Sequence, residues 1–180
     1  ARADRSPGEF YQLDIEMSFV DQSDVFDVIE KLMTKVFSKF STKKLLYEKF
    51  PTIKYNDALK MYGSDKPDLR NPLKIYDLTS IFNRDDVKFE IFKKLVNKGS
   101  IVRGIVTKKT INQPRSFFDN IDKWAKSEGA SGLAYFSIEK DTNIIGKGPI
   151  GKFFSENALK EIMEISSAEI GDSIFLACGP

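Results

Sequence analysis

The segment Phe10–Phe19 carries the side chains best suited to chemistry. Apolar and polar residues alternate along it, which predicts an extended strand whose core-facing side is made of Tyr11, Leu13, Ile15, Met17 and Phe19. The other side carries the ring of Phe10, the amide of Gln12 and the carboxylates of Asp14 and Glu16. Carboxylates at i and i+2 of a strand, with Cα atoms roughly 6.5–7 Å apart, repel each other unless they are solvated or face a cation. The row is therefore either a solvated sheet face or the floor of a pocket for a cationic group, with Phe10 available to a planar ring.

The nine residues before this strand have the composition of a charged turn. Ser6, Pro7 and Gly8 predict its tip, and Arg2 and Arg5 stand beside two acidic residues. Arginine is the side chain best suited to bind a phosphate through two N–H groups at once. Exposed loop charge is the default interpretation of both arginines. A loop of this kind that leads into an aromatic, amide and acidic strand face can also hold a nucleotide.

The composition of the whole chain excludes several classes of protein. Its 28 Lys and Arg nearly balance 26 Asp and Glu, so it lacks the basic excess of a stand-alone nucleic-acid binder. It has no histidine, which excludes the usual general base and zinc–histidine sites within these residues. A single cysteine cannot form a disulfide within the chain, which favours a reducing, cytoplasmic setting. No apolar run approaches the roughly 20 residues that span a bilayer, so no membrane association is predicted.

The residues after the strand predict a helix that supports it. Asp21 suits a helix start, and apolar residues then recur at helical spacing as far as Phe40, which predicts a stripe buried in the core. Further on, Pro51–Tyr55 predicts a short strand, and Asn56 is expected to cap a helix that ends at Gly63. A polar turn is expected over residues 64–70.

Asn71 and Pro72 mark the predicted domain boundary, because proline interrupts regular structure and biases its predecessor toward an extended form. The boundary divides the chain into residues 1–70 and 71–180. Strands that alternate with two helices predict a small α/β or α+β module in the second part. The predicted strands are Lys88–Phe92, Ile101–Thr107, Gly132–Ile138, a short segment at 144–145, and Asp172–Ala177. The predicted helices are Pro114–Lys126, with Phe117, Phe118, Ile121 and Trp124 buried, and Glu156–Ile165, capped by Ser155.

The segment Gly146–Lys152 matches the first part of a phosphate-binding loop, in which two glycines precede a lysine. The match then fails, because Phe153 stands where such a loop needs a hydroxyl for magnesium. The next helix is also predicted to start too late to meet a phosphate. We therefore interpret this segment as a glycine-rich connection.

Several stretches of the chain resemble one enzyme family. Residues 2–19, from Arg2 to Phe19, closely resemble the second half of motif 2 in bacterial aspartyl-tRNA synthetases, which are class II enzymes, and Tyr62–Arg70 resembles another segment of that family. Residues 71–180 are similar to the GAD domain that these enzymes carry as an insertion, notably at 132–135, 148–153 and 171–175. The resemblance implies an α+β fold: part of the class II antiparallel-sheet core in residues 1–70, then a small inserted α/β domain in residues 71–180.

The resemblance also implies roles for the first segment. Phe10 is expected to stack on the adenine of ATP, Arg5 to contact ATP, and Arg2 together with Arg5 to approach the acceptor end of tRNA. An anion is needed at the amino-acid end of the pocket to hold the α-ammonium of L-aspartate, and the matching residues are Asp14 and Glu16. The Gln12 amide is expected to form a hydrogen bond with the same substrate. No catalytic residue or metal ligand is expected within the chain, since catalysis of this kind rests on positioning and charge stabilisation.

The implied parent enzyme is a cytoplasmic, homodimeric aspartate–tRNA ligase. It converts L-aspartate and ATP, with Mg²⁺, to aspartyl-adenylate and pyrophosphate, and then passes the aspartyl group to tRNA(Asp). The chain lacks the arginine expected on the strand before Arg2, motif 1, motif 3 and an anticodon-binding module, so it resembles an excised fragment that is inactive alone. The alternative is a non-catalytic, tRNA-facing module of amidotransferase type. That alternative explains residues 71–180, but neither residues 2–19 nor Tyr62–Arg70.

Overall fold

The computed structural model describes residues 8–180 of the chain. They belong to two compact units, of which the first ends at Thr52 and the second runs from Ile53 to Pro180. The predicted boundary at Asn71 lies inside the second unit, because helix α2 (Tyr55–Tyr62) packs against the first strand of that unit. The division into residues 1–70 and 71–180 stays a prediction, since a compact unit and a domain of a longer protein need not share a boundary.

Helix α1 (Gln22–Phe40) is the regular element of the described part of the first unit. Its start follows from local chemistry, because the carboxylate of Asp24 accepts a hydrogen bond from the backbone N–H of Asp21 at 2.9 Å. The predicted helix is confirmed, but the prediction that its apolar stripe is core is wrong. None of its residues is buried, and Phe40 is 76% exposed. Helical spacing determines which side chains share a face, whereas burial depends on what covers that face.

The second unit is built on a five-stranded sheet in which every neighbouring pair is antiparallel, in the order β1-β2-β5-β3-β4. The strands are β1 (Ile75–Asp77), β2 (Ile101–Thr107), β3 (Ala134–Lys140), β4 (Ile144–Lys147) and β5 (Ser173–Gly179). The helices are α2, α3 (Glu90–Val96), α4 (Arg115–Ser127) and α5 (Glu156–Ser166), with 3₁₀ turns at Thr79–Asn83 and Gly151–Phe153. The mixture of helices and antiparallel strands confirms the expected α+β class.

One face of this sheet carries the core of the second unit. Alternate residues of β2, β5 and β3 point to it and meet α3, α5 and the first 3₁₀ turn. The ring of Phe82 lies 5.3 Å from that of Phe92 and 5.8 Å from that of Phe154, measured between ring centroids. The largest side chains buried here are Phe82, Phe136, Leu78, Ile81, Ile138, Leu159, Ile162, Ile174 and Leu176.

Helix α4 packs against the opposite face of the sheet through an aromatic cluster. The ring of Phe118 stacks on Tyr135, with centroids 4.3 Å apart and an angle of 9° between the planes, and it lies 5.7 Å from Phe175. Phe118 is buried as predicted, whereas Phe117 and Ile121 are only half-buried. The predicted burial of Trp124 is wrong, because its side chain is 64% exposed.

The predicted strand Lys88–Phe92 is wrong, because α3 begins at Glu90 and the strand-like pairing is limited to one bridge before it. Its alternation covers too few residues to exclude a helical period. Phe92 and Val96, four residues apart, are buried on one side of α3, while Ile91 is 64% exposed. The other elements predicted for residues 101–177 are confirmed, because β2, α4, β3, β4, α5 and β5 all form at the expected positions. The Ser155 side chain accepts a hydrogen bond from the N–H of Ala158 at 3.0 Å, as expected for the cap of α5.

The predicted strand at Pro51–Tyr55 is also wrong, because residues 51–54 have no regular structure and α2 begins at Tyr55. Asn56 therefore lies inside the helix and does not cap it. The predicted end of this helix is confirmed. Gly63 adopts a left-handed conformation with φ of 69°, and its N–H donates to the carbonyl of Leu59.

A buried carboxylate connects the turn after β2 to the start of β5. Asp172 is 1% exposed, and it accepts hydrogen bonds from the backbone N–H of Lys109 at 2.9 Å and of Glu169 at 2.8 Å. The ammonium group of Lys108 lies 3.0 Å from Oδ2 of Asp172, the oxygen that accepts from Glu169. Burial by itself raises the pKa of Asp172, but these donors outweigh burial and hold the pKa below its usual value.

Candidate functional site

The predicted site strand Phe10–Phe19 is not a strand in the described structure. Residues 10–16 have no regular structure, and every residue from 8 to 20 is exposed, including Tyr11 at 106% and Phe19 at 105%. The predicted core-facing side is therefore wrong for this structure. A segment becomes a strand only when a neighbour pairs with its backbone N–H and C=O groups. No other segment of residues 8–180 pairs with this one.

The proposed amino-acid-binding residues are only partly brought together. The Gln12 amide nitrogen donates to the carboxylate of Asp14 at 2.6 Å, as expected for residues two apart on one side of an extended segment. Glu16 is exposed and makes no side-chain hydrogen bond within residues 8–180. Phe10 is 66% exposed, so its ring has an open face. Arg2 and Arg5 lie outside the described residues.

The polar turn at residues 64–70 is held by two local ion pairs. Asp65 accepts from Lys66 at 2.8 Å, and Asp68 accepts from the Arg70 side chain at 2.8 and 2.6 Å. The Arg70 hydrogen bonds lower the pKa of Asp68 to about 2, and the Asp68 carboxylate in turn raises the pKa of Arg70. All four side chains are exposed to solvent. The geometry thus explains the shape of the turn and assigns none of the four to a ligand.

The glycines of segment Gly146–Lys152 serve packing. A Cβ at Gly146 would stand 2.7 Å from backbone atoms of Gly151, and one at Gly151 would overlap backbone atoms of Gly146. Only glycine allows the two backbones to approach so closely. The described segment is the end of β4 followed by a 3₁₀ turn, which supports its interpretation as a glycine-rich connection.

A cleft of about 510 Å³, which no motif of the sequence predicts, opens beside α4 on the face of the sheet away from the core. We call it the α4 cleft. Its polar and aromatic lining comes from Gln113, Arg115, Phe118, Tyr135, Ser137 and Lys147. Lys147 was visible in the sequence only as part of a failed phosphate-loop match. No sequence signal could have paired it with Ser137, because that contact depends on the register between β3 and β4.

The described residues contain no ready-made metal centre. No three acidic, cysteine or histidine side chains within residues 8–180 come together in a way that could hold a metal ion. The Asp14 carboxylate accepts a hydrogen bond from Gln12, and Glu16, two residues further on, is exposed. The described carboxylates therefore do not by themselves fit the Mg²⁺ that the family resemblance implies. No helix within residues 8–180 has the length and apolar character needed to cross a membrane.

Comparison with known proteins defines the class. The family described as tRNA synthetases class II (D, K and N) matches residues 1–164, which include the whole first unit and most of the second. The chain belongs to this family of class II tRNA synthetases.

Three individual relatives share one name. The Aspartate–tRNA(Asp/Asn) ligase of Pelagibacter ubique (strain HTCC1062) is 73% identical over 179 residues, which are 99% of this chain and 30% of that protein. The proteins of the same name from Ehrlichia canis (strain Jake) and Beijerinckia indica subsp. indica are 54% and 49% identical, over 97% and 98% of this chain. These two alignments cover 29% and 30% of the relatives. The chain thus spans about a third of the length of the curated relatives it matches.

Proposed function

We propose that this chain is part of an aspartate–tRNA ligase. The parent activates L-aspartate with ATP to give aspartyl-adenylate and pyrophosphate, and then transfers the aspartyl group to tRNA(Asp). The observation that carries this proposal is the 73% identity, over 99% of the chain, with a ligase of that name. Because the relatives' name includes both tRNAs, we extend the proposal to tRNA(Asn).

The proposed substrate contacts come from the segment before α1. The carboxylates of Asp14 and Glu16 attract the α-ammonium of aspartate, and the Gln12 amide orients the nearer carboxylate through its 2.6 Å hydrogen bond. The exposed ring of Phe10 stacks on adenine. In this proposal Arg5 binds ATP, and both Arg2 and Arg5 meet the acceptor end of tRNA. Magnesium accompanies ATP, and we assign it to no residue of this chain.

We further propose that residues 1–70 belong to the class II catalytic core and residues 71–180 to an inserted GAD domain of a cytoplasmic homodimer. The independent sheet and core of the second unit support an inserted domain. Two observations support the proposal that the chain alone is inactive: residues 10–19 are exposed, and nothing buries the apolar face of α1. A pocket for aspartate needs surrounding residues that hold Gln12 and Asp14 in place.

The test places this chain in a full-length enzyme. The corresponding segment of the Pelagibacter ubique ligase is replaced by residues 1–180, and aspartate-dependent exchange of pyrophosphate into ATP is measured. We expect the chimera to catalyse exchange and the isolated chain not to. In the chimera, Asp14→Asn should reduce kcat/KM for aspartate on the order of 10²-fold, because a charged hydrogen bond to the ammonium is lost. The matched control is Asp27→Asn, an exposed carboxylate on α1.

Each result decides a different part of the proposal. A folded chimera without exchange would argue against a ligase and in favour of the amidotransferase-type module. If Asp14→Asn behaves like Asp27→Asn, the assignment of the aspartate pocket to this segment is wrong. Exchange by the isolated chain would show that residues 1–180 suffice, contrary to the proposed inactivity.

A further inference from the structure

The α4 cleft brings two cations to one opening. Arg115 is the first residue of α4, and Lys147 is the last residue of β4. The nearest carboxylates compete weakly for them: the Arg115 Nε lies 3.6 Å from Asp119, and the Lys147 Nζ lies 3.2 Å from Glu139. Both pairs are exposed, and exposed ion pairs contribute little, so an incoming anion can replace these carboxylates.

Hydroxyl groups continue the polar side of the cleft across the sheet. Thr107, Ser173, Ser137 and Lys147 stand directly opposite one another on β2, β5, β3 and β4. The hydroxyls of Ser137 and Ser173 are buried and lie 2.7 Å apart. Either hydroxyl can donate to the other. When Ser173 donates to Ser137, the proton of Ser137, which lines the cleft, is available to an anion held by Lys147.

The rest of the cleft lining is largely apolar and includes the backbone at Gly148. Ile111, Pro149 and the ring of Tyr135 contribute to the lining. The φ of 112° at Gly148 favours glycine, while a Cβ there would make only an ordinary contact with the Tyr135 ring at 3.5 Å. The volume of about 510 Å³ falls in the range of small-molecule sites. The cleft thus offers two cations and a hydroxyl for an anion, and apolar surface for the body that carries it.

We propose that the α4 cleft binds a phosphate ester of nucleotide size, with its phosphate between Arg115 and Lys147. Arginine pairs with two phosphate oxygens at once, and lysine adds a compact positive charge. The same chemistry serves a free mononucleotide or the backbone phosphate of a single-stranded RNA. This site is separate in sequence from the proposed aspartate pocket, and its binding does not depend on ligase activity.

The test is an NMR titration of the ¹⁵N-labelled chain at low salt. The probes are adenosine 5′-monophosphate and a short single-stranded oligocytidylate, and the reporters are the amides of Tyr135, Ser137 and Gly148. Arg115→Gln and Lys147→Gln are each expected to weaken binding about tenfold or more, because each removes a charged contact to phosphate. Lys98→Gln is the matched control, since this exposed lysine follows α3 on the core side of the sheet. Unchanged circular dichroism spectra establish that each variant is folded.

The two probes distinguish the source of the phosphate. Binding of the mononucleotide with no gain for the oligomer supports a free ligand, and tighter binding of the oligomer supports RNA. Either result requires that both cleft variants weaken binding while the control does not. If neither probe shifts the three reporter amides, or if Lys98→Gln weakens binding as much as Arg115→Gln, the proposed site is wrong.

Discussion

The buried carboxylate of Asp172 provides a sharp test of what holds the second unit together. Each of its oxygens accepts one backbone N–H, from Lys109 at 2.9 Å and from Glu169 at 2.8 Å. In Asp172→Asn one oxygen becomes an NH₂ group, so one of these N–H groups loses its acceptor whichever way the amide is turned. Both hydrogen bonds are part-buried, and an N–H that loses its acceptor in such a place costs about 1–3 kcal/mol. The lost contact with Lys108 adds at most about 1 kcal/mol, because the Lys108 side chain is 55% exposed.

We expect Asp172→Asn to lower the free energy of unfolding by about 2–3 kcal/mol. Urea unfolding followed by far-UV circular dichroism measures it, and fluorescence of Trp124, the one tryptophan of the chain, reports on the second unit. With a urea slope of roughly 1–3 kcal/mol per molar, the midpoint should fall by about 1 M or more. Glu169→Gln is the control, because that side chain is 75% exposed and 3.6 Å from Lys108, and it should change stability by less than about 0.5 kcal/mol. Equal effects of the two substitutions would refute this explanation.

The same carboxylate predicts a dependence on pH. Its pKa in the folded chain lies below the ordinary value, so its contribution is fully present above the unfolded pKa of about 3.9 and is lost as pH falls toward the folded pKa. The stability difference between the wild-type chain and Asp172→Asn should therefore shrink steadily below about pH 4. A difference that stays constant down to acid unfolding would mean that the charge of Asp172 does not contribute.

Two further pairs of substitutions test close contacts made by residues of the sheet. Gly146→Ala should destabilise the chain by about 1–3 kcal/mol in urea unfolding, because its Cβ would stand 2.7 Å from the Gly151 backbone. The control is Gly179→Ala, whose Cβ would meet nothing within 4 Å and which should be nearly neutral. Ser137→Ala should cost about 1–2 kcal/mol, since it leaves the buried Ser173 hydroxyl without its 2.7 Å partner, and the double substitution with Ser173→Ala should cost less than the sum of the two single ones.

The sequence predicted those helices and strands whose start, end or type is determined by a few neighbouring residues. Ser155 starts α5 by accepting the N–H of Ala158, and Gly63 ends α2 in a left-handed conformation, so a few neighbouring residues were enough to recognise both. Strand β2 was recognisable because β-branched residues fill most of Ile101–Thr107. The strand-like pattern at Lys88–Phe92 covers only five residues, and the helical period of Phe92 and Val96 determined the structure instead.

The candidate sites depended on contacts that no local signal encodes. Alternation in Phe10–Phe19 identifies which side chains share a side, and the contact between Gln12 and Asp14 agrees with it, but a strand needs a paired neighbour. The α4 cleft was missed for a related reason. Lys147 and Ser137 become neighbours through strand register, and Arg115 joins them through the packing of α4, neither of which can be read from spacing along the chain.

The two units differ in how much of their structure they determine by themselves, which makes the two functional proposals separable. The second unit has its own buried core, so the shape of the α4 cleft follows from residues of that unit. In the described part of the first unit, α1 buries none of its residues and the segment with Asp14 is exposed. Activation of aspartate should therefore require the longer enzyme, whereas phosphate binding at Arg115 and Lys147 should be measurable in the chain itself. Asp14→Asn should leave phosphate binding unchanged. Loss of that binding in Asp14→Asn would show that the two sites are coupled and that the second unit does not determine its cleft alone.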